Sequence, residues 1–184
     1  MSQEPLPNAL VRGAEKVLSM KLRDFVRLFK DLIPPFDYVM EDDPLEEVLK
    51  LLFGGKHYII VLDRRGRLKG LITYIDLVTL FSKAAIKSAQ HAFGSLRELL
   101  KSAGVSIGTH GEILAGDLME RLPHWVFIDE TVEDAIDLMH RDRCYHAVIR
   151  DKEGMVYGVI TYHSIFRAIV REAGIYLPQE QIHQ

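Results

Sequence analysis

With 184 residues, 48% of them apolar, the chain can bury one large core or two small ones. Its 23 basic and 26 acidic residues give a formal net charge of −3, which gives no support for binding duplex nucleic acid, a partner that calls for a concentrated basic surface. A single cysteine, Cys144, excludes an internal disulfide framework and suits a reducing, cytoplasmic setting. No apolar run approaches the roughly 18 residues of a membrane span, so no membrane partner is expected.

The amino terminus, MSQEPLPNAL, lacks the basic segment and apolar stretch of a secretory signal. Residues 8–32 carry helical periodicity through Leu10, Val17, Leu18, Leu22, Phe25, Leu28, Phe29 and Leu32, and Pro34-Pro35 then breaks the helix. A short strand over residues 38–40 runs into acids and Pro44, the mark of a helix start, with Pro44 read as a first-turn residue. The spacing of Leu45, Val48, Leu49 and Leu52 predicts an amphipathic helix. HYIIVL (57–62) and LKGLIT (68–73) read as two strands joined by the turn DRRG, whose Gly66 can take positive φ. A closing helix begins near Leu77; residues 83–93 extend it, and residues 95–102 form a second short helix capped by Ser95. Glycines 104, 108 and 111 then mark a link.

The chain then repeats itself. ILAGDLM (113–119) leads in as the segment before residue 32 did, and Trp125 opens a strand over residues 125–128 that ends in acids and Thr131. A helix follows with apolar positions Val132, Ala135, Ile136 and Met139. HAVI, the turn DKEG with Gly154, VYGVIT and the helix IFRAIVREA complete the copy. Leu45 falls on Val132, an offset of 87, and GLITYID at 70–76 falls on GVITYHS at 158–164, an offset of 88. Internal repetition on this scale sets the organisation. It comprises an N-terminal helical extension (1–21), a first unit (22–82), a helical linker (83–113), a second unit (114–173) and a tail (174–184). The expected fold is α/β of the α+β kind: two pseudo-symmetric β-α-β-β-α units packed face to face through their small sheets, with extra N-terminal and linker helices.

The chemistry concentrates at the strand-to-helix junction. Thr73 stands where a hydroxyl caps a helix, and Asp76 stands three residues on, so the pair reads as a cap stabilising the helix by about 1 kcal/mol. The same geometry suits a ligand. Free N–H groups and a hydroxyl bind an anion, and a carboxylate one turn inside accepts from two neighbouring hydroxyls, as on a ribose. Copy two keeps Thr161 but replaces the acid with Ser164, which reads as a poor reciprocal cap. Other signals carry less. HRD at 140–142 lacks the rest of a kinase site, and His140, Cys144 and His146 lack a second ligand pair for zinc. Trp125 reads as a packing residue more than a base-stacking one. RRGRLK (64–69) reads as a solvated basic turn with a phosphate-binding role second to that. No catalytic set can be placed in one cleft, so the chain is not read as an enzyme.

The tandem units, each with Gly-apolar-apolar-Thr-x-x-(Asp) after a D-x-x-G hairpin, resemble a pair of cystathionine-β-synthase (CBS) domains, a Bateman module, over residues 22–82 and 114–173. The resemblance implies a regulatory protein that binds an adenosine ligand, AMP, ADP or ATP and also S-adenosylmethionine, between the units and transmits occupancy to an effector protein. No resident cofactor is implied. Carried over, Thr73 meets a phosphate and Asp76 the ribose hydroxyls. Tyr38, Val39 and Met40 offer backbone groups and apolar walls to the adenine, and His57 stands where some members place a phosphate-contacting basic residue. The second site is degenerate, with Thr161, His146, His163 and Arg167 as secondary contacts. Apolar-striped helices outside the repeated core are expected to serve a homodimer or an effector. The alternative function is a structural dimerisation module that binds no small molecule.

Overall fold

The structure, a computed structural model, describes residues 5–90, 113–121 and 123–175, and of residues 83–90 the backbone only. It divides into two compact units, one made of Met1–Ile33 with His124–Gln184, the other of Pro34–Pro123. In chain order, the former begins with α1 (Leu6–Leu18), α2 (Leu22–Leu28) and a 3-10 turn at Lys30–Leu32. The chain then builds the other unit from β1 (Phe36–Met40), α3 (Leu45–Phe53), β2 (Tyr58–Leu62), β3 (Leu68–Thr73), α4 (Tyr74–Gln90), α5 (Ala115–Leu118) and β4 (Glu120–Arg121). It returns to complete the first with β5 (Trp125–Phe127), α6 (Val132–Arg141), β6 (His146–Arg150), β7 (Val156–Thr161) and α7 (Tyr162–Glu172).

In the Pro34–Pro123 unit the sheet order is β1-β2-β3-β4, with β1 parallel to β2 and the β2–β3 and β3–β4 pairs antiparallel. Strand alternation sends Val39, Ile59, Val61 and Ile72 to one face, where Val48 of α3, Leu77 of α4 and Ala115, Leu118 and Met119 complete a buried cluster. The hairpin between β2 and β3 turns on Gly66, at φ 74°, as the sequence predicts. Its interior is Asp63, whose Oδ1 accepts the N–H groups of Arg65 and Arg67 at 2.8 and 3.0 Å while Oδ2 accepts the Arg67 guanidinium at 2.7 Å. The Arg67 guanidinium and those backbone N–H groups hold the Asp63 carboxyl at about 2. RRGRLK is therefore more than a solvated turn: Arg67 closes it, and Arg64 reaches Asp42 with Nε at 3.1 Å and Nη2 at 2.7 Å.

In the other unit, β5-β6-β7 repeats the three-stranded core of the pattern, and Gly154 turns its hairpin at φ 94°. Val126, Ala147, Ile149 and Ile160 pack with Val132, Ala135 and Met139 of α6, Ile165 and Ala168 of α7, and Val17, Leu22, Phe25 and Phe29 from the amino-terminal helices. Phe25 and Phe29 tilt against each other with ring centroids 5.2 Å apart. Helix α1 lies on α7 at close range: a Cβ added to Gly13 would stand 2.7 Å from the Ile169 carbonyl oxygen. Arg171 grips Asp31 with both terminal nitrogens, at 3.0 and 2.5 Å, holding that carboxyl below its ordinary range, and Lys16 pairs with Glu172.

The compact units cut the chain differently from the sequence repeats. Lys21 bridges Thr131, and the N–H groups of Leu22 and Arg23 donate to the carbonyls of Glu130 and Ile128 at 2.8 and 2.9 Å. In matching fashion Leu114 bridges Pro44, and Ala115 and Gly116 donate to Asp43 and Glu41 at 2.8 and 2.9 Å. Each copy's lead-in segment thus docks ahead of the other copy's first repeated helix. Periodicity marks such a segment as helical but is silent on its partner, because the bridges Pro44–Leu114 and Lys21–Thr131 span 70 and 110 residues. Two local expectations also change. Pro44 is extended (φ −72°, ψ 157°) and stands just before α3 instead of in its first turn, and β4 is an extra strand that sequence reading does not register. Helix α4 does continue to Gln90; the expected helix over 95–102 and the glycines at 104, 108 and 111 lie outside the described residues.

Candidate functional site

The junction of β3 and α4 builds the site from two residues. Thr73, buried at 6% exposure, ends the strand. Its N–H and its hydroxyl both donate to the same carboxylate oxygen, Oδ2 of Asp76, at 2.8 and 2.7 Å. Asp76 is half-buried, and among the described residues its Oδ1 accepts no hydrogen bond. One oxygen therefore fixes the helix start while the other is left to accept from outside the junction, which is the chemistry a vicinal diol requires.

Sheet register adds neighbours. Phe36 lies opposite Tyr58, and Tyr58 opposite Thr73, so these three side chains form a row on the face away from the Val39–Ile59–Ile72 cluster. Tyr58 is a residue that sequence reading missed. The signal was present in the alternation of β2, which sends Tyr58 and Thr73 to one face once the hairpin register is known. Burial pushes the Tyr58 phenol above its ordinary value, with Tyr74 adding to the effect. Tyr38 stands two residues along β1 from Phe36, their rings edge to face at 5.7 Å, and remains 42% exposed.

The remaining predicted residues fall less uniformly. The outward N–H groups of Tyr38 and Met40 are already taken, by Asp37 Oδ1 at 2.9 Å and Asp43 Oδ2 at 2.7 Å, so those donors are not open to a base. Val39 is buried in the cluster beneath the sheet, so its side chain is no wall for a ligand on the opposite face. His57 does not start β2 but lies in the bend before it, exposed, its N–H donating to the Pro35 carbonyl at 2.8 Å.

In copy two the corresponding junction is closed. The Thr161 N–H donates to Ser164 Oγ at 3.0 Å, the Ser164 N–H donates back to Thr161 Oγ1 at 3.0 Å, and the Ser164 hydroxyl donates to the Thr161 carbonyl at 2.8 Å. Ser164 is fully buried at 0% exposure. The expectation that serine would cap poorly is thus corrected: its short hydroxyl fits the turn and completes both halves of a capping box. His146 lies opposite Thr161 in the ladder, half-buried, whereas His163 and Arg167 point from the exposed side of α7. Trp125, in the register position of Tyr38, packs edge-on against Phe127 with centroids 4.8 Å apart and lies under the Arg150 guanidinium, 3.7 Å from the ring centroid.

A second Thr-x-x-Asp pair shows what the spacing does by itself. At the start of α6, Thr131 and Asp134 exchange bonds of 2.6, 2.7 and 3.1 Å, and the Thr131 hydroxyl and N–H hold the Asp134 carboxyl below its ordinary range. That pair is exposed and lies at an ordinary helix start. Spacing alone therefore marks a cap; the aromatic row beside the junction is what distinguishes Thr73–Asp76.

Comparison with known proteins gives one family and one fold. The CBS domain family model matches residues 23–83 and 115–171. Among solved structures, the CBS domain of a CBS domain containing membrane protein from Sphaerobacter thermophilus is similar at a TM-score of 0.58 and 21% identity, covering 85% of this chain and 92% of that one. CBSX2, solved in complex with AMP, is similar at a TM-score of 0.56 and 21% identity over 82% of this chain and 96% of its own. The CBS domain pair of MJ0100, in complex with 5-methylthioadenosine and S-adenosyl-L-methionine, reaches a TM-score of 0.50 at 18% identity, over 75% and 95% of the two chains. No curated protein matches the sequence at a significant level. Among the described residues no helix is long and apolar enough to cross a membrane.

Proposed function

Because the chain belongs to the CBS-domain family, we propose that it is a regulatory sensor whose ligand-competent copy is the one bearing Thr73 and Asp76. The ligand is an adenine nucleotide, AMP, ADP or ATP, with S-adenosylmethionine within the same class. Asp76 Oδ1 takes the ribose hydroxyls, Thr73 and the α4 N-terminus lie toward the phosphate, and Tyr38, Tyr58 and Met40 flank the base. His57 serves as an exposed basic contact. The observation that carries this reading is that Asp76 is half-buried and its Oδ1 accepts no hydrogen bond among the described residues, set against the fully buried, self-satisfied serine at the second junction. The AMP held by CBSX2 and the adenosyl ligands held by MJ0100 support the ligand class.

Occupancy shifts a partner's state by differential binding, without catalysis by this chain. Thr161, His146, His163 and Arg167 at most assist a phosphate. The protein works in the cytoplasm, consistent with its single cysteine. It works as a homodimer with an effector protein: Tyr74, Ile75 and Val78 of α4, all more than half exposed, supply an apolar stripe suited to such contacts, and the same stripe favours the second reading of an assembly module without a ligand.

Thermal denaturation with AMP, ADP, ATP and S-adenosylmethionine separates the two readings. A true ligand at a hundred times its dissociation constant stabilises by about 2.7 kcal/mol. Asp76→Ala should abolish that shift and Ser164→Ala should leave it intact. A full shift retained by Asp76→Ala rejects the site, and no shift with any of the four favours the assembly module.

A further inference from the structure

The Pro34–Pro123 unit holds a groove of about 400 Å³ that the adenosine reading does not use. Its lining includes Glu41, Arg64, Lys69, Leu114, Asp117 and Arg121, with Asp42 and Met119 alongside. In sheet register it lies at the Met40–Leu62 end of the strands, whereas Thr73 pairs at the Phe36–Tyr58 end. Four residue steps of strand separate those ends, about 13 Å. The volume falls within the range of small-molecule sites.

The charges around this groove are only partly paired off. Arg64 and Asp42 neutralise each other through the two bonds described above. That leaves two acids, Glu41 and Asp117, and two cations, Lys69 and Arg121, and among the described residues no ion pair joins an acid of this set to a cation. Backbone contacts position three of them. Asp117 Oδ2 accepts the Leu114 N–H at 3.1 Å, and Arg121 Nη2 donates a long bond to the Gly116 carbonyl at 3.5 Å. Glu41 is placed at the end of β1 by its N–H bond to the Leu62 carbonyl at 2.9 Å, and its own carbonyl receives the Gly116 N–H at 2.9 Å. Two acids and two cations around one opening complement a molecule that carries both signs itself. Leu114 and Met119 add apolar surface, the latter 9% exposed.

The geometry points to a second ligand site here, for an α-amino acid with an apolar side chain. It binds as the zwitterion, its ammonium toward Glu41 and Asp117, its carboxylate toward Lys69 and Arg121, and its side chain against Leu114 and Met119. The site is independent of Asp76, so the module would read two chemically different metabolites. RRGRLK thereby gains a role in its last residue, Lys69, while its arginines hold the hairpin.

Titration calorimetry on the full chain tests this with L-leucine and L-methionine as probes, and with N-acetyl-L-leucine, L-leucinamide and inorganic phosphate as controls. At least one free amino acid should bind, and removing either charge from the ligand should weaken binding about tenfold or more. Glu41→Gln and Lys69→Gln should each weaken it by a similar factor, and Asp76→Ala should leave it unchanged. The proposal is overturned if neither amino acid binds, if N-acetyl-L-leucine or phosphate binds as well as L-leucine, or if both charge variants bind normally. Loss of binding in Asp76→Ala would equally overturn it, by showing a single site. Failure of the nucleotide titrations would leave these outcomes untouched.

Discussion

Thr73–Asp76 and Thr161–Ser164 occupy the same place in two copies of one unit, and both fasten a helix to a strand. They differ in what remains after the fastening. The aspartate carries a second carboxylate oxygen that the serine lacks, so it caps with Oδ2 while, among the described residues, Oδ1 accepts no hydrogen bond. The serine spends its hydroxyl inside the turn, as acceptor from Thr161 and donor to the Thr161 carbonyl, and is sealed at 0% exposure. On the proposed function, stability and ligand binding use the same backbone geometry, and a single side chain decides whether the second use is available.

Four experiments press on that contrast. The largest effect is expected from Asp76→Ala, which should weaken adenosine-ligand binding at least about a hundredfold, some 2.7 kcal/mol, as read by titration. Next, Ser164→Asp makes the copies alike in sequence but places a carboxylate where no water reaches. A loss of about 2 kcal/mol or more in denaturant unfolding is expected, with no second equivalent of nucleotide. If that variant is as stable as the parent and binds twice the ligand, burial is not what separates the copies. Third, Ser164→Ala should cost about 1 kcal/mol of stability through loss of the cap, without altering the ligand-induced shift.

The smallest effect concerns the hairpin and pH. Asp63 sits at about 2 in the folded protein against an ordinary 3.8, so the folded state binds its proton less readily than the unfolded chain. Its contribution is therefore complete above about pH 4 and is lost as pH falls toward 2. Asp63→Asn should lower stability at neutral pH and flatten the acid limb of the pH profile in that window. An unchanged limb would mean the Arg67 contact is a surface pairing of little weight.

Much of the unit could be read from residues alone, for local reasons. The alternating strands, the apolar helix spacing and the positive-φ glycines of the two hairpins are each written within a dozen residues, and repetition at offsets of 87 and 88 doubles every signal. The Thr73–Asp76 cap was legible by the same token. What escaped depends on distant pairing. The exchange of lead-in segments rests on contacts such as Lys21 with Thr131, and β4 exists because Arg121 happens to meet Gly70. Tyr58 needed the hairpin register before it could be set beside Thr73. Ser164 was misjudged because a residue-type preference for acids at that position ignores how a short hydroxyl fills a buried turn.

The backbone-to-backbone seat of Gly13 on Ile169 bears on how this molecule can be shortened. The first of the two family-matched segments begins at residue 23, and a chain trimmed to them discards the whole of α1. Val17 would vanish from a core it now completes, and the α7 surface under Gly13 would be left bare. Helix α1, outside the repeat by pattern, is thus a wall of the very half whose junction is sealed, and a truncated protein should precipitate before it could be asked what it binds.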